Sequence, residues 1–232
     1  MIDEILNNFK NSQLHKEPFW YKSVSNIFPK NYYDRLISDL PEIDSYKPIN
    51  KTGTVSKNYP DERFVFDLNY ENINALDEKR KKTLTELITV FTNPTFFNVI
   101  SSEFKETIDN RISSFNDYEK ENIGINNFQF NIQAALVKDF KKYKLGVHTD
   151  TTLKFLTFLF YIPHNNNLED LGTALYKLNE DANVELGEKG NHHISEKDFT
   201  LIKKIPFRPN TLLVFPRTNS SYHGVEKINT EG

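Results

Sequence analysis

Cysteine is absent from the 232-residue chain, which excludes disulfide scaffolds, thiolate-held zinc or iron–sulfur centres and cysteine nucleophiles at once. Any metal must sit on nitrogen and oxygen donors. An excess of charge of one sign is missing too. The 29 basic and 32 acidic residues leave a net charge of −3, without the basic footprint that nucleic acid or an anionic membrane surface demands. Long apolar runs are also lacking: the longest, Phe155 to Pro163, is interrupted by Thr157 and falls far short of a membrane span. The opening MIDEILNNFK is acidic and amphipathic, unlike a secretory leader. A cytoplasmic protein is expected, acting on a small molecule or a side chain rather than on nucleic acid or membrane.

The chain length suits a single domain, 1–232, with a helical flank over 1–123 and a β-rich core over 124–232. In the flank, Ile2, Ile5, Leu6 and Phe9 share one helical face. The stretch PFWYKSVSNIF looks extended, and PKNYYDRLISDLP reads as a second helix with proline at either end. Residues 44–62 show no apolar period and are long for a connection, which predicts a mobile lid or a disordered loop. RFVFDL is a strand candidate. From Asn74 to about Arg111 the apolar spacing is helical, with a break expected at Asn93-Pro94.

Beyond Gly124 the pattern changes. NFQFNIQAALV, KLGVHTD, KFLTFLFYIP, GTALYKL, FTLIKKIPF, NTLLVF and SYHGVEKI are seven successive strand candidates separated by polar and turn-forming clusters. The third and sixth are apolar on both faces, as for strands with a filled interior on one side and helices on the other. A two-sheet jelly roll buttressed by the N-terminal helices is the predicted architecture.

His148 and Asp150 stand two apart where the second strand candidate closes, so an extended backbone projects both to one face. A lone histidine in a strand is more often a hydrogen-bonded core or rim residue than a ligand. A facial iron(II) site needs a third donor, and His223 supplies one at the start of the seventh strand candidate, beside Gly224, where backbones crowd. Because an antiparallel chain reverses at each strand, the connections II–III, IV–V and VI–VII emerge at one end, and all three ligands belong to it. The other histidines are read differently: His15, ahead of Glu17, as a surface residue with no strand around it; His164 as part of a turn; His192 and His193 as members of a solvated loop, 179–198, over the same mouth.

DFKKYKLGVHTDTTLKFLTFLFYIP, LGTALYKL and PFRPNTLLVFPRTNSSYHGVEKI together resemble the iron(II)- and 2-oxoglutarate-dependent oxygenases, specifically the prolyl-hydroxylase-like group of bacteria and phages, over about residues 127–228. The resemblance implies a double-stranded β-helix with iron(II) on His148, Asp150 and His223, 2-oxoglutarate as cosubstrate and dioxygen as oxidant. It further implies hydroxylation of a C–H bond with release of succinate and carbon dioxide. Tyr161 is similar to the tyrosine that often hydrogen-bonds 2-oxoglutarate in such enzymes, and Thr157 would share its pocket. The family's cation for the far carboxylate of 2-oxoglutarate stands on an eighth strand which, counted from His223, falls past Gly232. The expectation is that the sequence stops short of that strand, and Lys154 and Arg217 are the candidates within it. Two other functions stay open. One is a cupin-like metalloenzyme that needs no 2-oxoglutarate; the other is a non-catalytic jelly-roll module that binds carbohydrate.

Overall fold

Side-chain caps set the starts of several helices in the computed structural model, which describes residues 1–57, 59–115, 131–182 and 196–229. Helix α1 (Ile2–Asn11) buries Ile5, Leu6 and Phe9, and α2 (Lys30–Ser38) follows Pro29. A short α3 (Tyr70–Asn74) leads to α4 (Glu78–Phe91), whose first amides at Lys79 and Arg80 are capped by the Asp77 carboxylate. The expected break falls at Asn93-Pro94: the Asn93 side chain accepts from the amides of Thr95 and Phe96, and Pro94 opens α5 (Pro94–Glu103). Helix α6 (Lys105–Ser113) follows directly. Among the described residues no helix is long and apolar enough to cross a membrane.

The flank also contributes strands: β1 (Leu14–His15), β2 (Tyr21–Ser25), β3 (Lys47–Pro48) and β4 (Arg63–Asp67). All seven strand candidates of the core form strands, namely β5 (Ala135–Asp139), β6 (Leu145–His148), β7 (Leu156–Tyr161), β8 (Thr173–Leu178), β9 (Phe199–Ile205), β10 (Thr211–Pro216) and β11 (His223–Val225). They are shorter than the apolar stretches suggest. Asp150 lies beyond the end of β6, and residues 131–134 precede β5 without regular structure; residues 127–130 of that candidate lie outside the described residues.

Three antiparallel sheets result, in the orders β1-β2-β10-β7, β6-β11-β8-β9 and β3-β4-β5. The first two pack face to face as a sandwich of the jelly-roll-like class. Their shared interior holds Tyr21, Tyr161, Leu213 and Phe215 from the first sheet, Leu175 and Ile205 from the second, and Phe19. The outer face of the first sheet buries Val24, Leu212 and Val214 against Ile5, Phe9, Leu36, Leu84 and Ile100 of the helices, so β10 is buried on both faces. With roughly 25 cal/mol per Å² of apolar surface removed from water, this doubly covered strand is the natural centre of the core.

Register at the seams depends on particular residues. Asn210, at φ 52°, donates to Phe28 O and accepts from Phe28 N, which fastens the exit of β2 to the entry of β10. A Cβ on Gly172 would lie 1.6 Å from Ile205 O, and one on Gly224 would lie 2.7 Å from Leu145 O. The crowding expected beside His223 is therefore present.

Several expectations need correction. The first 123 residues are more than a helical flank, because β2 pairs with β10 inside the sandwich sheet and β4 pairs with β5. His15 lies in β1 opposite Tyr21, half-buried and stacked on its ring at 4.8 Å, rather than in a strandless surface stretch. Segment 44–62 holds β3 and two 3₁₀ turns, Ile43–Ser45 and Ile49–Lys51. The Tyr59 hydroxyl meets that of Tyr143 at 3.1 Å. Tyr143 precedes β6, about 16 Å of extended chain from His148, so this contact lies toward the end of β6 away from His148. His164 is exposed in a bend, as expected for turn chemistry, whereas His192 and His193 lie outside the described residues.

Candidate metal centre

The pairing of β6 with β11 sets His148 and His223 directly opposite each other, with ring centroids 4.4 Å apart. Asp150 reaches the same point from the loop that follows β6. One ligand atom from each of the three residues falls within a mutual 4.8 Å, and all three side chains are buried. His223 Nε2 lies 3.9 Å from Asp150 Oδ2. Cis ligands about 2.1 Å from a cation are about 3 Å apart, so a modest contraction of the three side chains gives a three-point site.

Backbone carbonyls fix the two rings. His148 Nδ1 donates to Gly146 O at 2.9 Å and His223 Nδ1 to Ser221 O at 3.0 Å. Only a protonated Nδ1 can bond a carbonyl, so in both rings the Nε2 lone pair is the donor offered to a cation. The Phe215 ring meets His223 edge-on at 4.8 Å and restricts its rotation.

Asp150 is held at both oxygens: Oδ1 accepts from Lys154 Nζ at 2.6 Å and Oδ2 accepts from the Thr157 hydroxyl. Burial alone would raise its pKa, but His223, Lys154 and Thr157 outweigh that and bring it down to about 2. Burial lowers the pKa of His223, with the Asp150 carboxylate opposing. At neutral pH the centre therefore presents an ionised carboxylate and a neutral imidazole at position 223. Two imidazole nitrogens and one carboxylate oxygen suit a divalent first-row metal and leave positions for exogenous ligands.

The four residues expected around a cosubstrate are all placed. Thr157 and Lys154 contact Asp150 itself. Arg217, 3 % exposed, donates through Nε to the Asp150 backbone carbonyl at 3.0 Å and through Nη1 to Asn219 Oδ1 at 2.7 Å. Tyr161 lies deeper: four residues beyond Thr157 on the same face of β7, it donates its hydroxyl to Thr173 Oγ1 at 2.6 Å. Burial, offset in part by Thr173, pushes its pKa up to about 12.

Some participants were not identified from sequence. The carbonyls of Gly146 and Ser221 carry no side-chain signature, although both stand two residues before a ligand histidine. Arg111 of α6 donates through Nη2 to Thr152 O at 3.2 Å, and Phe115 meets Phe155 edge-on. The helical flank thus touches the loop that carries Asp150. An open depression lined by Asn50, Lys51, Gly53, Val55, Ser56 and Lys57 shares no residue with the His-Asp-His group.

Compared with known proteins, the chain matches no family model and no curated sequence.

Proposed function

We propose that the chain is an iron(II)- and 2-oxoglutarate-dependent dioxygenase on a double-stranded β-helix, hydroxylating a C–H bond of a polar substrate. The observation that carries this reading is the buried convergence of His148, Asp150 and His223 on one point. The strand order β6-β11-β8-β9 and the β10–β7 pairing support the β-helix, because β6–β11, β7–β10 and β8–β9 are nested antiparallel pairs, the pairing of a jelly roll. The resemblance noted in the sequence supports the cosubstrate.

Bound iron(II) would supply activation of dioxygen, with the balance substrate C–H + 2-oxoglutarate + O₂ giving substrate C–OH + succinate + CO₂. The protein's own part is to hold and shield. Gly146 and Ser221 keep the imidazoles in the Nε2-donor tautomer. Thr157 orients the carboxylate. Phe215, Leu213 and Leu175 fill the sandwich interior and keep water from that side of the site. The polarity of Thr151, Lys154, Asn219 and Ser220 around the ligand loops supports a polar substrate.

One observation favours a second reading. Thr157, Lys154, Arg217 and Tyr161 all bond to groups within the chain, and three of them bond to Asp150. A metalloenzyme that needs no keto acid would look the same. The distinguishing experiment is succinate formation from 2-oxoglutarate with iron(II) and dioxygen, including turnover uncoupled from the main substrate. Dioxygenase chemistry gives metal-dependent succinate that disappears in Asp150→Ala. Metal binding without succinate favours the cosubstrate-free enzyme, and neither favours a binding module.

A further inference from the structure

Arg217 sits at the junction of the two segments that deliver the ligands. Its amide donates to Phe155 O at 2.8 Å, its Nε to Asp150 O at 3.0 Å and its Nη1 to Asn219 Oδ1 at 2.7 Å. Phe155 and Asp150 bracket the loop that carries the carboxylate ligand. Asn219 belongs to the turn that runs on to His223, a turn closed by Thr218 and Ser221: Thr218 N donates to Ser221 Oγ, and Ser221 Oγ donates to Thr218 O. One buried side chain therefore ties the Asp150 loop to the approach of His223.

We propose that Arg217 is a positioning residue that sets the separation of Asp150 from His223, acting through the Asp150 carbonyl rather than as the charge that receives an exogenous carboxylate. The inference rests on the metal-binding part of the proposed function and is independent of 2-oxoglutarate. A hydrogen bond to the main chain of a ligand residue fixes where its carboxylate swings. Losing such partners typically weakens metal affinity by about 10- to 100-fold.

Side-chain length supplies the test. A glutamine places its amide nitrogen at the same distance along the chain as arginine Nε, so Arg217→Gln keeps a donor for the Asp150 carbonyl while removing the charge. Arg217→Met keeps the shape and removes the donor. Cobalt(II) is titrated into wild type and both variants, following its visible absorption bands and its dissociation constant. Positioning predicts wild-type bands and affinity within about threefold for Gln, and about 10-fold or weaker binding with altered bands for Met. Equal affinity in all three overturns the proposal, as does Gln failing as badly as Met. Should Arg217→Met not fold, Arg217→Lys replaces it, because lysine carries carbon where arginine has Nε and is expected to weaken binding likewise. If wild type binds no cobalt, the metal reading itself fails, a different result from wild type binding and all variants matching it.

Discussion

Lys154 Nζ lies 2.6 Å from Asp150 Oδ1, on the carboxylate that faces His223. An ammonium thus stands on the oxygen other than the one nearest His223 Nε2, and it offsets the carboxylate's charge in the metal-free protein. It is about half exposed, so solvent screens the pair and its attraction is modest.

That pairing predicts competition. Lys154→Met should tighten metal binding several-fold, since it removes both a competing cation and the repulsion felt by an incoming one. Isothermal titration with manganese(II) measures this. Weaker binding would mean that Lys154 supports the ligand geometry instead. In the same variant, a raised KM for 2-oxoglutarate would assign the ammonium a second task at the mouth.

Acid should disrupt the centre through His223 before Asp150. Burial lowers the His223 pKa below the ordinary 6.5, so the folded protein binds fewer protons there than the unfolded chain. Its contribution to stability is whole above pH 6.5 and is lost as the pH falls below it. Asp150, at about 2 when folded against 3.8, loses its contribution only below the ordinary carboxylate range. Metal affinity measured from pH 8 to pH 5 should be flat above 6.5 and decline below. A decline centred above pH 7 would contradict the burial argument.

Gly224→Ala tests whether the close approach of β11 to β6 matters for the site. The new methyl would lie 2.7 Å from Leu145 O, a backbone atom that cannot turn aside. The strands must part, at a cost of about 1–3 kcal/mol, and His223 moves with its strand. Chemical denaturation should show the loss and metal titration a weakened site. Unchanged values for both would mean the strand ends yield freely.

Thr149 offers the opposite case. Its hydroxyl is buried, with the residue 1 % exposed, and has no hydrogen-bond partner among the described residues. Thr149→Val keeps the shape and removes an unsatisfied group, so stability should rise by about 1 kcal/mol with metal affinity unchanged. Destabilisation would reveal a partner for that hydroxyl.

These examples also show how much the sequence could reveal. Short runs of β-formers between turn clusters pointed to the core strands, and the Asn93-Pro94 pair located a helix boundary, because both signals are local. His148, Asp150 and His223 were legible because chain reversal at each strand dictates which connections share an end. What escaped depends on distant partners. β1 and β3 are two residues long and exist only as edges to β2 and β4. β2 joins the sandwich through its pairing with β10, nearly the whole chain away. Arg217 read as a candidate cation for the cosubstrate because nothing in its neighbourhood in sequence announces the Asp150 carbonyl. The 44–62 loop read as a lid or a disordered loop because nothing in its apolar pattern announces the two-residue β3 or its 3₁₀ turns.

The most direct test of the central claim is the metal stoichiometry of the purified protein titrated with iron(II) under anaerobic conditions, beside Asp150→Ala and His223→Ala. One ion per wild-type chain is expected, and none held tightly by either variant. One ion retained by both variants, or none bound by wild type, would contradict it.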